Sequence, residues 1–168
     1  MISIIIVIVS FILDGILSNF LPYVVNDLSL FTPSFTLVSI FLVSSFYHHK
    51  EKKYYILCFI TGLLYDLFYT NLLFFNGFMF LVMGIITIKI HKYFGMDFFK
   101  LVIYIALIIT IYESLSALIF IIFNLVPITL YKLVYKISHT LILNIIYALL
   151  VFTIIRFIPK KYKKISIN

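Results

Sequence analysis

The chain consists of helix-length apolar runs separated by short polar breaks, and this pattern constrains the fold more than any other feature. Of its 168 residues, 64% are hydrophobic and only 11% are charged, and the mean hydropathy is +1.21. So few charges could not cover the surface of a water-soluble domain. The runs do not form a series of about ten-residue segments with alternating polar residues, which a transmembrane barrel would require. The sequence therefore predicts an all-α polytopic membrane protein.

Division at the polar breaks predicts six transmembrane helices in a single bundle over residues 1–168, with no linker or repeat that would indicate a second domain. Each run approaches the roughly 20 residues that a helix needs to cross a bilayer. The first run lacks a basic segment before it and is long for a cleaved signal, so we expect it to be retained as an anchor. A tight hairpin at Asn71, Asn76 and Gly77 is expected to divide the third and fourth runs. The approximate spans are 1–21, 31–47, 54–70, 76–91, 98–124 and 137–158.

Basic residues lie mostly on one side of this predicted bundle. If the spans alternate, eleven of the 13 Lys and Arg residues fall in or beside the loops after the second and fourth spans and at the C-terminal end. Only Lys132 and Lys136 fall on the other side. The positive-inside rule then places both termini in the cytoplasm, in a multi-pass protein of the inner (cytoplasmic) cell membrane. Basic residues beside spans also attract membrane lipids with anionic head groups, so the net charge of +7 follows from topology and we expect no nucleic-acid binding.

Residues 124–137 leave two structures open. Apolar residues in this segment follow a helical repeat, while Lys132 and Lys136 lie on another face of the same turns. That pattern is typical of a short helix that lies in the outer membrane interface. The segment could equally be the extended start of the sixth span.

Three acidic residues, Asp14, Asp66 and Glu113, interrupt the apolar spans. An unpaired charge at mid-bilayer costs between roughly 3 and more than 10 kcal/mol, so each carboxyl must face protein, water or a partner group. Helical periodicity places each one in a stripe of small and polar residues, which favours close helix packing, and we expect the carboxyls to point inward. The stripes contain Ser3, Ser10, Asp14 and Ser18 in the first span; Gly62, Asp66 and Thr70 in the third; Ala106, Thr110, Glu113, Ser114 and Ala117 in the fifth; and Thr140, Asn144 and Ala148 in the sixth.

The role of each carboxyl stays open between structure and chemistry. Burial without a cation favours a neutral acid that hydrogen-bonds to a neighbouring helix. The same residues could instead relay protons, bind an ion or ligand, or dock a partner. His139 and Asn144 are candidate hydrogen-bond partners for the acids.

Motifs that would indicate an enzyme are absent from the sequence. It contains no zinc-protease helix, no nucleophile elbow and no glycine-rich phosphate loop. His48 and His49 lie beside a lysine cluster and are expected to be solvated loop residues, and Cys58, the single cysteine, is expected to be a packed thiol. We therefore predict no enzymatic activity, no metal site and no cofactor.

Residues 62–92, GLLYDLFYTNLLFFNGFMFLVMGIITIKIHK, resemble a segment of the rod shape-determining protein MreD family. In that segment a glycine and an aspartate precede a short hairpin and an apolar helix that ends in basic residues. YESL at 112–115 and TLILN at 140–144 are similar to the family's fifth-span glutamate and last-span asparagine. With the chain length and the basic tail, the similarity extends over essentially the whole protein. Phe75, Asn76 and Gly77 depart from the family, which often has Leu-Gly or a similar small pair after the hairpin.

The resemblance implies a non-enzymatic scaffold of the cell-elongation (rod) complex, which helps to organise lateral peptidoglycan synthesis and cell shape. Its implied partners are an MreC-like bitopic protein and also MreB, RodA and a class B penicillin-binding protein. The family is also similar to the six-helix substrate-capture subunits (S-components) of energy-coupling-factor transporters, so the resemblance implies that fold. The residues that we expect to form the polar core of the bundle or to dock a partner are Asp14, Gly62, Asp66, Glu113, His139 and Asn144.

An alternative function is that of a small-molecule capture subunit of a membrane transporter. The same carboxyls would then line a ligand cavity that opens outward. The chain has few Gly or Pro residues inside its spans and no Trp that could stack on a planar vitamin. These omissions favour the scaffold over the capture subunit.

Overall fold

The structure, a computed structural model, is built almost entirely from helices. It describes residues 2–20, 24–25, 28–29, 33–47, 50–70, 72–94, 98–124 and 129–157. His48, His49, Asn71 and the basic residues after position 157 lie outside these ranges. The helices are α1 (Ile2–Phe20), α2 (Phe35–Val43), α3 (Glu51–Tyr69), α4 (Phe75–Phe94), α5 (Phe98–Ile122) and α6 (Leu130–Phe157), and a 3-10 helix, Ser44–Tyr47, continues α2.

A short β-hairpin between α1 and α2 departs from the all-α prediction. Strand β1 (Val24–Val25) pairs antiparallel with β2 (Leu28–Ser29), so that Val24 faces Ser29 and Val25 faces Leu28. The hairpin occupies one of the polar breaks, where the chain is free to satisfy backbone groups by strand pairing as well as by helix formation. Each strand has only two residues, which is too short for alternation of apolar and polar residues to predict it.

Among the described residues, three helices are long and apolar enough to cross a membrane. They are Ile2–Asn19 within α1, Phe98–Ile122 and Leu130–Phe157. The apolar helices Phe35–Tyr47 and Phe75–His91 are shorter. These lengths and compositions are those of a helical membrane protein.

The second helix is shorter than the span that was predicted over 31–47. It begins at Phe35, and the N-cap residue before it, Ser34, has a non-helical backbone. All nine residues of α2 are buried, and the helix packs against α1, α4, α5 and α6. It therefore forms the centre of the bundle.

The hairpin between α3 and α4 lies where it was predicted, with a different division of residues. Asn76 and Gly77 belong to the first turn of α4, whereas the chain reverses at Leu72–Phe74 and Phe74 adopts a left-handed φ of 68°. The prediction that Asn76 and Gly77 form the turn is therefore wrong. At the start of α4, the backbone N–H groups of both residues and the side-chain amide of Asn76 donate hydrogen bonds to the Asp66 carboxylate.

The described part of the segment 124–137 contains no helix separate from α6. α6 begins at Leu130 and continues without a break to Phe157, so that Lys132 and Lys136 lie in its first two turns. Of the two structures that the sequence left open, the extended start of the sixth span is correct.

The apolar core surrounds α2 and the facing sides of the other helices. Cys58 is fully buried, as expected for a packed thiol. The Tyr54 hydroxyl, also fully buried, donates to the Ile40 carbonyl of α2 at 3.0 Å. The largest fully buried side chains are Tyr54, Phe41, Phe80, Ile40, Leu42, Met83, Leu101, Ile105, Ile108, Ile109, Val38 and Val43.

Candidate functional site

Asp14 in α1 binds the start of α2. The backbone N–H groups of Phe35 and Thr36 donate to its two carboxylate oxygens at 2.7 and 2.8 Å, and the Thr36 hydroxyl donates at 2.5 Å. A helix leaves its first N–H groups without intrahelical partners, and the local N-cap residue, Ser34, makes no side-chain cap. The carboxylate therefore supplies from another helix the cap that α2 lacks, and its negative charge lies at the positive end of the helix dipole.

Asn144 in α6 completes this cap. Its Oδ1 accepts the N–H of Ser34 at 2.9 Å, and its Nδ2 donates to the Thr140 carbonyl at 2.7 Å. Three consecutive N–H groups, those of residues 34–36, are thus bound by side chains of α1 and α6. Asn144 was a candidate hydrogen-bond partner for the acids, and the structure places it beside Asp14 at the same helix end.

Asp66 in α3 caps the start of α4, as Asp14 caps the start of α2. Its Oδ1 accepts from the Asn76 N–H at 3.0 Å, from Asn76 Nδ2 at 2.8 Å and from the Thr70 hydroxyl at 2.9 Å. Its Oδ2 accepts from the Gly77 N–H at 3.1 Å. The carboxyl is buried, so these four donors replace the water that would bind it at a surface.

Gly62 and Tyr112 hold this second cap in place. A Cβ on Gly62 would lie 2.3 Å from the Asn76 carbonyl oxygen and 2.7 Å from Gly77 Cα, so the missing side chain is what allows α4 to start against α3. The Tyr112 hydroxyl of α5 donates to Asn76 Oδ1 at 2.6 Å. One polar network therefore joins α3, α4 and α5.

Glu113 in α5 forms an ion pair with α6. Its Oε2 lies 2.8 Å from Lys136 Nζ, and the Glu113 side chain is buried while that of Lys136 is 40% exposed. One of the two structures left open for residues 124–137 placed Lys136 at the membrane interface, and the contact of Lys136 with Glu113 was missed. The available signal was that acid and lysine both occur in long apolar helices, where each would favour a partner of opposite charge.

Replacement of Lys136 by alanine is expected to destabilise the protein by about 2 kcal/mol, because it leaves the Glu113 carboxylate buried without its cation. The unfolding free energy in mixed detergent micelles measures this effect. Lys132→Ala is the matched control, since Lys132 is exposed one turn earlier in the same helix and is expected to change stability by less than about 0.5 kcal/mol. Equal losses in the two variants would contradict a stabilising ion pair.

The remaining candidates lie away from the two caps. His139 Nδ1 is 2.9 Å from the carbonyl of Tyr135 in its own helix, and the two rings are 4.1 Å apart. In the α1 stripe, Ser10 is buried and its hydroxyl is 2.6 Å from that of Tyr147, whereas Ser18 is exposed. The stripe therefore faces the bundle along most of its length.

An open cleft lies between α1 and α3, beside Asp14. Its volume is about 440 Å³. Phe11 of α1 contacts Tyr65, Phe68 and Tyr69 of α3 by its ring, and the Tyr69 hydroxyl donates to the Phe11 carbonyl at 2.8 Å. The residues that line the cleft are Asp14, Ser18, Asn19, Pro33, Tyr65, Phe68, Tyr69 and Thr70.

The geometry of the site is that of a structural polar core. Asp14 and Asp66 bind helix starts and Glu113 binds a lysine, so each buried carboxyl is occupied by groups of a neighbouring helix. Within the described ranges, no group of three or more His, Cys, Asp and Glu side chains could hold a metal ion. Such an arrangement fixes helix positions relative to one another.

The family model of rod shape-determining protein MreD matches residues 1–161 of the 168-residue chain. Comparison with curated proteins and with solved structures finds no match. The family match covers both carboxylate caps, the ion pair and the cleft.

Proposed function

Since the chain belongs to the rod shape-determining protein MreD family, whose members are structural membrane proteins that act in rod shape determination, we propose that it is a non-enzymatic scaffold of the cell-elongation complex. The proposal rests on one observation: the buried carboxyls bind groups of neighbouring helices, namely two helix starts and a lysine. A bundle with one fixed geometry can present a constant surface to partners. Its proposed partners are an MreC-like bitopic protein and, through it or beside it, MreB, RodA and a class B penicillin-binding protein.

We propose that the bundle crosses the cell membrane six times, with both termini in the cytoplasm. Three long apolar helices support a membrane bundle, and the distribution of basic residues supports this orientation. The shorter α2 is buried on all sides, so its ends need not reach the lipid head groups themselves. The caps on α2 and α4 would then lie in the half of the bundle that faces away from the cytoplasm.

The cleft between α1 and α3 is the proposed docking place for a helix or extended segment of the MreC-like partner. Lipid provides little hydrophobic driving force between helices, so packing and polar contacts must hold a partner. The cleft offers both, because aromatic rings stand beside hydroxyl and amide groups. Phe68 is 71% exposed at its edge and is available as an anchor.

Replacement of Phe68 by alanine is expected to lower the recovery of a tagged MreC-like partner about tenfold, because truncation of an aromatic anchor removes much of the binding energy of an interface. The measurement is co-purification from native membranes, together with rescue of rod shape in cells depleted of the native protein. Phe99→Ala is the matched control, since Phe99 is 83% exposed on α5, away from the cleft. A wild-type protein that recovers no such partner would refute the scaffold, and full recovery with Phe68→Ala would refute the docking place.

A second candidate function, small-molecule capture for a transporter, is favoured by the volume of the same cleft. About 440 Å³ lies within the range of pockets that hold small ligands. Saturable binding of a vitamin-like ligand to the purified protein, weakened by Phe68→Ala, would support this function over the scaffold. Recovery of a transporter ATPase from native membranes in place of wall-synthesis proteins would do the same.

A further inference from the structure

A second, much smaller cavity, partly open to the surface, lies between the Asp14 cap of α2 and Tyr112 of α5. Its volume is about 10 Å³, close to the space that one water molecule needs. Leu37 and Phe80 provide apolar walls, and the other lining residues carry oxygen atoms. The full lining is Asp14, Ser34, Leu37, Tyr65, Phe80 and Tyr112.

The polar groups around this cavity have unused hydrogen-bonding capacity. A carboxylate accepts about four hydrogen bonds, and Asp14 receives three from Phe35 and Thr36. The Tyr112 hydroxyl gives its proton to Asn76, which leaves its oxygen able to accept. Tyr65 has a hydroxyl proton, and within the part of the chain that the structure describes no hydrogen bond to this hydroxyl is present.

We propose that one ordered water molecule occupies the cavity and joins the two caps. The water accepts the hydroxyl proton of Tyr65 and donates its own two protons to the Asp14 carboxylate and to the Tyr112 oxygen. This arrangement gives it three hydrogen bonds, which is typical of a buried water. It also supplies a hydrogen-bond partner for the Tyr65 hydroxyl.

The water would link two hydrogen-bond networks. One contains Asp14, Asn144 and the start of α2, and the other contains Tyr112, Asn76 and Asp66 at the start of α4. Helix starts on opposite sides of the cavity would then depend on each other. Asp14 and Tyr65 also line the large cleft, so the water could exchange by that route. The inference concerns the bundle alone and does not depend on which partner the protein binds.

A double-mutant cycle with Tyr65→Phe and Tyr112→Phe tests the link. Each substitution removes one hydroxyl from the water site and keeps the ring. Each single substitution is expected to raise the unfolding constant in mixed micelles. We expect the increase in the double variant to be about fivefold smaller than the product of the two single increases, because the first substitution already weakens the binding of the water. Tyr55→Phe with Tyr112→Phe is the matched control, since Tyr55 lies in the first turn of α3 beside Glu51 and its effect is expected to multiply. Effects of Tyr65→Phe and Tyr112→Phe that multiply as in the control would overturn the proposal.

A density map of the wild-type protein in which ordered waters are visible gives a direct second measurement. A single peak within hydrogen-bonding distance of both Asp14 and Tyr112 is the expected result. A cavity without density, or one that side chains close by direct contact, would overturn the proposal even if all tyrosine variants failed to fold.

Discussion

Replacement of Asp66 by alanine is expected to destabilise the protein by about 4 kcal/mol and to remove most of the folded protein from the membrane. The change leaves the N–H groups of Asn76 and Gly77, the Asn76 amide and the Thr70 hydroxyl without their acceptor. Hydrogen bonds to a charged group contribute about 1.5–3 kcal/mol each, and several are lost together. A loss of this size is a large part of the 5–15 kcal/mol that stabilises a typical folded protein. Unfolding in mixed micelles and the amount of protein in the membrane are the measurements.

Two variants separate the cap from a general effect of substitution in α3. Leu67→Ala changes the adjacent residue, which is 66% exposed on the bundle surface, and is expected to leave stability nearly unchanged. Asp66→Asn keeps one acceptor oxygen and loses the charge, so its effect should fall between those of Leu67→Ala and Asp66→Ala. If Asp66→Ala were as stable as Leu67→Ala, the carboxylate would not be the cap of α4.

The inward orientation of the acids could be predicted from sequence because it depends on helical periodicity alone. Asp14, Asp66 and Glu113 are all buried, as their stripes indicated. The groups that they bind could not be predicted, because those groups belong to helices whose relative positions one sequence does not contain. Thr36 and Lys136 were therefore missed.

The limits of the predicted fold have the same physical origin. Apolar length indicates the helices, but a fully buried helix such as α2 and a lipid-facing helix such as α1 are similar in composition. The start of α2 is capped by a residue more than 20 positions away in the chain. Turn propensity placed Asn76 and Gly77 in the loop, whereas the cap by Asp66 draws them into α4.

Replacement of Gly62 by alanine is expected to cost about 3 kcal/mol or more, because the new Cβ would lie 2.3 Å from the Asn76 carbonyl oxygen and 2.6 Å from its carbon. These are backbone atoms of α4, so relief requires the two helices to separate, and separation also moves Asn76 away from Asp66. The variant should therefore lose both the packing and part of the cap, which unfolding in mixed micelles would measure.

Gly77→Ala provides the matched control at the same helix contact. Its Cβ would lie 3.0 Å from Leu63 Cδ2 and 3.4 Å from Phe59 Cε2, which are side-chain atoms that can shift. We expect a loss of less than about 1 kcal/mol, since the α4 backbone need not move and alanine also favours the helix over glycine. A Gly62→Ala protein as stable as Gly77→Ala would mean that α3 and α4 can separate without loss, and that the Asp66 cap does not require close backbone contact. A Gly62→Ala protein that is clearly less stable than Gly77→Ala would make the glycine and the carboxylate one functional unit, because the absent side chain at position 62 lets the N–H groups of α4 come within reach of the acid.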